Sequence, residues 1–595
     1  MINFNVQIQS FPFDAGCQTQ IEQWGNGNDK HYGLNWPVVY MLHNDDTNEA
    51  YVGETLNAGK RAAQHWQKED KKSLKAIHIM TDDTFNKSVI LDLESYLIKY
   101  VSADGRYRLQ NGNTGLSDFD YYDRLNYEQQ FEKIWEKLRE LGLVENEIAT
   151  IRNTDEYKYS PYKTLTKDQE EVLGKLVRLL AFCLSNGTEE TVIVEGGAGT
   201  GKTILAVFLI KLLQDIKNNT YESTEENESD PGIDSLREML LDRKLKIGFV
   251  VPQQSLRKTL KKVFSKVQGI PESIIMKPEE VVENAKDGPF DVLICDEAHR
   301  LCRRKSLSYY MPYDKANQEL GLSKETTQLE WLIRCSKMQI LFYDPTQSVK
   351  PSDIPKDLFR EILNEQDNRH TLRLTSQLRC LGGDDYIQYI HEMLYDQGYM
   401  AGNAQTGKKS LIMREGKGSF IPNGHFEDYC LRFFDDIDAM MDEINRLDEK
   451  YGLCHAVAGY GWKWITEKEP KGTEKRDIDI GRGYIWNRTT TDWVNSKPLP
   501  YEIGCIHTIQ GYDLNYVGVI FGPEIYYNTE TKRIEVSKAN YKDSHGREVG
   551  DDYEALRTYI LNIYATLLTR GMHGAFVYVY DEALRDYLRP FFTER

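Results

Sequence analysis

Apolar and polar positions along this chain change period several times, and each change marks an element. Val38-Val39-Tyr40-Met41-Leu42 is a continuous apolar run, residues 43–49 are rich in Asn and Asp, and Ala50-Tyr51-Val52-Gly53-Glu54 turns apolar again. That order predicts two strands joined by a turn. A helix start follows over 60–66. A second helix runs near 88–100, where Leu91, Leu97 and Ile98 form an apolar stripe. Between Tyr127 and Leu143 the positions Phe131, Ile134, Trp135, Leu138 and Leu141 recur at helical spacing, with Glu and Lys on the other face. Farther along, three short runs at 191–194, 290–295 and 340–343 lack helical spacing and end in glycine or acidic residues. They predict strands of a parallel sheet, whose C-terminal ends share one edge.

The expected fold class is therefore α/β, with a small αβ domain followed by parallel-sheet lobes. Residues 1–35 lack a clear period and read as an N-terminal extension. Residues 36–115 form the small domain, 116–160 a helical linker that bridges to the next domain and ends in the polar stretch 155–161, 161–365 a first lobe, and 366–595 a second lobe with insertions. Residues 218–234 are acidic and turn-rich and read as a surface loop. Residues 467–483 are a polar break, and there is no internal repeat.

Composition narrows the setting. The 595 residues contain no apolar stretch long enough for a membrane span, and the first residues lack a basic-then-apolar leader. Nine cysteines are scattered without a CxxC pair. A cytoplasmic protein with reduced core thiols, and no membrane partner, is expected. The net charge of −18 offers no general footprint for nucleic acid. Local basic clusters do occur at Lys68, Lys71, Lys72 and Lys75, at Arg257, Lys258, Lys261 and Lys262, and at Arg300, Arg303 and Arg304. Each is as readily a solvated helix face as a phosphate track.

The strongest chemical signal is Gly196-Gly197-Ala198-Gly199-Thr200-Gly201-Lys202-Thr203, set between the 191–194 strand and the apolar run 204–210. Strand, glycine-rich turn, Lys-Thr and helix together make a phosphate-binding loop. The glycines, Gly196, Gly199 and Gly201 among them, let backbone amides face phosphate oxygens, and the helix adds its positive end. Lys202 would reach the terminal phosphates of ATP, and Thr203 would ligate Mg²⁺. The strand at 290–295 runs into Asp296-Glu297-Ala298-His299. Asp296 would hold the Mg²⁺ shell and Glu297 would polarise the attacking water. The strand at 340–343 runs into Asp344-Pro345-Thr346-Gln347, placing Gln347 to sense the γ-phosphate.

These segments, in order, resemble those of superfamily 1 helicases, and with AGYGW at 458–462 and HTIQGYD at 507–513 they resemble the Schlafen-type helicase-like ATPases found in many prokaryotic proteins. The resemblance covers roughly residues 160–590 and implies two RecA-like lobes. It also implies that Gln169 contacts the adenine, that Arg379 in Ser376-Gln377-Leu378-Arg379-Cys380 is one arginine finger, and that Arg570 in Leu567-Leu568-Thr569-Arg570-Gly571 is a second. About 45 residues lie between Pro252 and Asp296, too few for the large duplex-gripping insertion of well-known unwinders of that class. The aromatics Tyr460, Trp462 and Trp464 suit either base stacking or a core.

A second constellation sits in 36–115. Arg61 and His65 are four apart on one helical face. Glu94 lies in the apolar stripe of its helix, where a carboxylate calls for a partner or a metal. With Val38-Val39-Tyr40 and Tyr51-Val52-Gly53 these residues resemble a GIY-YIG nuclease domain, although the Gly-Ile of the first triplet is missing. The resemblance implies that Tyr40 or Tyr51 orients the attacking water, Arg61 neutralises the scissile phosphate, Glu94 holds one Mg²⁺, His65 assists proton transfer, and Asn111, or Asn113 two residues on, orients the site.

The leading expectation is an ATP-dependent translocase or helicase coupled to a Mg²⁺-dependent endonuclease that cuts DNA, single-stranded or duplex, with RNA open as well; family context adds anti-phage defence. One alternative is an ATPase sensor that gates the nuclease without unwinding. Another is a nucleotide-dependent binding or remodelling protein whose nuclease domain is inactive. A partner protein or a homo-oligomer stays open.

Overall fold

The computed structural model describes residues 5–27, 31–112, 121–218, 220, 231–240, 245–307, 309–345, 347, 351–377, 380–395, 426, 428–467, 469, 474–489, 493–496, 498–509, 512–543 and 552–592. Two compact units divide the chain. The first comprises Met1–Thr188, Thr203–Phe249 and Lys258–Ile275, and the second Glu189–Lys202, Val250–Arg257 and Met276–Arg595. Among the described residues no helix is long and apolar enough to cross a membrane. None of the nine cysteines, all described, is in a disulfide, and seven are buried.

In the first unit a five-stranded sheet runs in the order Gln7–Pro12, Ala76–Thr81, Val38–Asn44, Glu49–Thr55, Arg108–Leu109. Val38–Asn44 pairs antiparallel with Glu49–Thr55 in the register Tyr40↔Gly53 and Leu42↔Tyr51, as the alternation of apolar runs and turn predicts. The span 1–35 is no mere extension: Gln7–Pro12 pairs antiparallel with Ala76–Thr81. As an edge strand it leaves most of its residues exposed, so its sequence carries no apolar run.

Helix Lys87–Asp104 buries Val89, Ile90, Leu93, Leu97, Ile98 and Val101, whereas Leu91 is only half-buried. Helix Arg124–Glu140 was expected to bridge domains. Instead it packs on this helix, with Phe131 against Tyr96 and Trp135 against Tyr100 at ring separations of 5.4 and 5.8 Å. An amphipathic stripe needs apolar cover, and the neighbouring helix supplies it. Leu141 falls past the last turn and is 54% exposed. The stretch 155–161 is likewise no open linker: it forms helix Asp155–Lys158, with Tyr157 5.1 Å from the Tyr100 ring, and it leads to fully buried Tyr162.

The second unit holds two parallel sheets. In one, Glu190–Gly196 is flanked by Ser336–Tyr343 and Arg369–Leu374, and Phe290–Cys295 lies beyond Ser336–Tyr343. Every residue of Phe290–Cys295 is buried, which explains its unbroken apolar character. Arg369–Leu374, expected in the second lobe, belongs to this first sheet. Its polar Arg369, Thr371 and Arg373 are exposed at the edge, masking it as a strand.

The other sheet runs Cys430–Phe434, Gly571–Val579, Leu514–Phe521, Cys454–Ala458, Glu502–Cys505, Ile485–Trp486, all parallel. Trp462 is buried in its core, Trp464 packs against that core, and Tyr460 stacks on Trp486 at 5.5 Å, so these aromatics are structural. Within the polar break at 467–483, Asp477 is buried, and its carboxylate accepts from the backbone N–H of Ile465, Thr466 and Trp486.

Candidate functional site

The loop after Glu190–Gly196 has the backbone its glycines predict. Gly199 and Gly201 adopt φ of 84° and 76°, conformations that side chains resist. Thr200 Oγ1 donates to Gly197 O at 3.0 Å and tightens the turn. Lys202, buried at the start of helix Lys202–Lys217, donates its ammonium to Gly196 O and Gly197 O, each at 2.7 Å, and lies 3.5 Å from Asp344 Oδ2. The cation rests in the loop's own carbonyls. At Gly197 an added Cβ would meet nothing within 4 Å, so the loop leaves open space there. A turn of this form suits phosphate oxygens.

Asp296 is fully buried, and its N–H donates to Val250 O at 3.0 Å, fixing the strand end from which Glu297 projects. Glu297 adopts a left-handed φ of 51°. Its carboxylate lies 2.8 Å from His299 Nε2. Burial pushes the Glu297 carboxyl up, but His299, Lys202 and Arg570 outweigh it and hold the group well below the usual carboxylate range. It is ionised at neutral pH, as a group that polarises water must be. Gln347 Nε2 donates to Asp344 Oδ2 at 2.6 Å, and buried Arg570, brought by the helix Tyr553–Leu568 of the second lobe, donates from Nη2 to Gln347 Oε1 at 3.4 Å. Gln377 Nε2 donates to Ala198 O at 2.6 Å.

Thus Lys202, Glu297, Gln347 and Arg570 converge, with Asp296 preceding Glu297 at the strand end, while Arg379 lies outside the described residues. Thr203 follows Lys202 on its helix. A threonine hydroxyl and an aspartate carboxylate are each hard oxygen donors of the kind Mg²⁺ takes. Gln169 caps its own helix: its Oε1 accepts from Thr166 N–H at 3.0 Å and its N–H donates to Thr166 Oγ1 at 3.4 Å, a capping box for helix Lys167–Asn186.

In the first unit Tyr40 Oη lies 2.7 Å from His65 Nε2, and Arg61 Nε donates to Tyr40 Oη at 3.4 Å. Tyr51 packs edge-on against His65 at 5.0 Å. Gly53 is obligatory: a Cβ there would fall 2.3 Å from Tyr40 Oη across the strand pair. Burial pushes the Tyr40 phenol up, so it keeps its proton at neutral pH. Burial, with Arg61, Lys71 and Lys68, drives His65 down to about 3, so its ring is neutral. Burial, with the Glu54 charge, raises Glu94 to about 8. A divalent cation would relieve that same unfavourable charge, so the carboxylate suits a metal. Among the described residues no group of three or more His, Cys, Asp or Glu is arranged around one metal position. Asn111 faces backbone: its Oδ1 accepts from Val52 N–H at 3.0 Å and its Nδ2 donates to Val52 O at 2.7 Å. It extends the sheet by side chain. Asn113 lies outside the described residues.

Residues 189–581 match the Schlafen group 3, DNA/RNA helicase domain. The chain belongs to this Schlafen group 3 family. An uncharacterized protein of Saccharomyces cerevisiae, YPL245W, is 24% identical and aligns over 72% of this chain and 91% of its own length. Among solved structures, the Pif1 helicase from Bacteroides in complex with ADP-AlF3 and ssDNA covers 72% of this chain and 95% of its own at 13% identity and a TM-score of 0.25. PCH-2 of C. elegans covers 42% and 51% at 11% identity and a TM-score of 0.15. Scores this low say nothing of site or substrate.

The Schlafen group 3 match includes Gly196 through Lys202, Asp296, Glu297, Gln347 and Arg570 and begins after the N-terminal sheet. Three neighbours of the predicted residues carry no site role in the sequence. Asp344 receives Gln347 and flanks Lys202. Glu54, directly after the second triplet, is ion-paired to Lys87 at 2.9 Å. Lys71 is buried, with its ammonium 4.2 Å from the Tyr51 ring centre. A place within the same strand ends was a signal for the first two; for Lys71 only the fold supplies one.

Proposed function

We propose that the Schlafen group 3 domain hydrolyses ATP with Mg²⁺ and uses the cycle to move on a nucleic-acid strand, and that the N-terminal sheet is a metal-dependent, GIY-YIG-type phosphodiesterase. The observation that carries the first part is the meeting of Lys202, Asp296, Glu297, Asp344 and Gln347 at the ends of one sheet, with Arg570 arriving from the second lobe.

Bound ATP would draw the Lys202 ammonium from the carbonyls of Gly196 and Gly197 to its terminal phosphates. Thr203 and Asp296 would hold Mg²⁺, which supplies charge neutralisation. Glu297 orients a water and takes its proton as the water oxygen bonds to the γ-phosphorus and the bond to the bridging oxygen breaks. Arg570 neutralises charge on the transferred group only while the lobes are closed, which links hydrolysis to lobe movement.

In the N-terminal sheet, Arg61 would bind the scissile phosphate, and the Tyr40–His65 pair would orient water, with His65 neutral and in contact with the Tyr40 hydroxyl. Glu94 would hold the divalent cation, which lends charge stabilisation. Asn111 holds the strand bearing Tyr51 in register. Gating of this nuclease without unwinding is the second reading. The short span between Pro252 and Asp296 favours it, because it holds only the elements Gln254–Ser265, Glu272–Ile274, Ile275–Met276, Pro278–Asn284 and Phe290–Cys295.

The test is to follow ATP consumption, strand displacement and cleavage of single- and double-stranded DNA and RNA with Mg²⁺, for the wild type, Lys202→Ala and Glu94→Ala. Loss of ATPase in Lys202→Ala and loss of cutting with retained ATPase in Glu94→Ala are expected. Persistent cutting by Glu94→Ala, or equal cutting in chelator, overturns the nuclease assignment. Nucleic acid that stimulates ATPase without displacement selects the gating reading.

A further inference from the structure

The chain that leaves Glu297 stays buried from Ala298 to Leu301. Arg300 is buried and paired with Asp353 at 2.9 Å, so it is structural. Residues 301–303 then lie against 352–354: Ile354 N–H donates to Leu301 O at 2.9 Å, Cys302 bridges Asp353, and Arg303 N–H donates to Ser352 O at 2.8 Å. Beyond this strap the chain turns outward. Ser306 takes a left-handed φ of 51°, and Tyr309 and Met311 stand 82% and 84% exposed, with Tyr310 at 40% between them. Among the described residues no other large apolar side chains this exposed adjoin in sequence.

Cations accompany these aromatics. Arg304 lies over the Tyr310 ring at 5.0 Å, held there by a two-pronged pair with Asp314 at 2.6 and 3.0 Å. Lys305 is exposed beside it, and Arg304, Lys305, Ser306 and Tyr310 line an open depression of about 570 Å³. Asp314 and Glu325 are the acids that face Arg304, with Lys324 near Asp314. Exposed flat rings beside cations, on a chain whose net charge is −18, are unsuited to an apolar core and suited to unpaired bases on a phosphate backbone.

We propose that the surface formed by Arg304, Lys305, Tyr309 and Tyr310 is a docking platform for a single nucleic-acid strand. The rings stack on bases, Lys305 meets a phosphate, and Arg304, held by Asp314, backs the Tyr310 ring. This rests on the reading of the domain as a nucleic-acid motor, and it adds a route between strand and nucleotide. The platform is joined on one side to Glu297, and through the strap at 301–303 to the segment that follows Gln347. A strand bound there acts on both residues that face the γ-phosphate.

The experiment measures anisotropy of labelled oligo-dT and oligo-U with the full chain, across a salt series, for the wild type, Tyr309→Ala, Tyr309→Phe and Lys305→Glu. Both side chains are exposed, so folding is not at risk. Tyr309→Ala is expected to weaken binding about tenfold while Tyr309→Phe retains it, since a ring suffices for stacking. Lys305→Glu is expected to weaken binding and flatten the salt dependence. Equal loss for dT and U marks stacking and phosphate contact; preference for U adds a 2′-hydroxyl contact at the same platform. If the wild type binds strand and Tyr309→Ala and Lys305→Glu bind it equally well, the platform is wrong while the motor stands. If the wild type binds no strand, the motor reading and the platform fall together.

Discussion

Arg570 Nη2 stands 3.4 Å from Gln347 Oε1, joining the end of a second-lobe helix to the loop after Ser336–Tyr343. That one contact places a cation from one sheet beside the residues that end the strands of another. Arg570 also helps to keep Glu297 ionised. Arg570→Ala is therefore expected to lower kcat for ATP about 100- to 1,000-fold with a smaller change in KM. Arg570→Lys should not restore it, because an ammonium lacks the guanidinium's planar fork. Steady-state phosphate release checks both.

Glu524 gives the second lobe a pH-dependent stability. It is fully buried at the sheet end where Leu514–Phe521 stops, and Tyr564 Oη donates to its Oε1 at 2.5 Å. Gly459, Gly461 and Gly522 crowd it so closely that a Cβ at any of them would fall 2.1–2.3 Å from its oxygens. Burial raises its pKa from 4.5 to about 7. The folded state then binds more protons than the unfolded one, so this contribution is full below about pH 4.5 and is lost as pH rises through 7. Between pH 5 and 8 the loss is about 2–3 kcal/mol. Glu524→Gln should flatten that slope in denaturant unfolding, gaining on the wild type at pH 8.

Asn111 should behave as a structural residue. Asn111→Ala leaves Val52 N–H and O without their side-chain partner in a buried strand, at a cost of about 1–3 kcal/mol. Thermal unfolding of the variant should shift down whether or not divalent metal is present, as a metal-orienting residue would not require.

Gly53→Ala should be worse than the usual exchange of glycine for alanine in a strand. The added methyl meets Tyr40 Oη at 2.3 Å, so Tyr40 must leave His65. The expected result is loss of phosphodiester cutting with ATP hydrolysis retained, read in the same preparation.

Buried elements were legible in the sequence and edges were not. Phe290–Cys295 and Ser336–Tyr343 are covered on both faces, so their apolar runs announce them, and Asp296, Glu297 and Gln347 follow from where those runs stop. Gln7–Pro12 and Arg369–Leu374 are edges, and their exposed polar residues hide them. That Arg61 and His65 share one helical face needed only helical spacing. Their meeting with Tyr40 depends on strand register, and the backbone role of Asn111 on a contact 59 residues distant. Lys71, read as part of a basic cluster, is buried against Tyr51 because the fold carries it there.

The most direct test of the nucleotide site is phosphate release and nucleotide retention by the full chain with Mg²⁺, comparing the wild type with Lys202→Ala and Glu297→Gln. Turnover by the wild type is predicted, with loss of both retention and release in Lys202→Ala. Glu297→Gln should retain ATP and release phosphate about 100-fold more slowly or less. Wild-type rates of release from both variants would contradict the account.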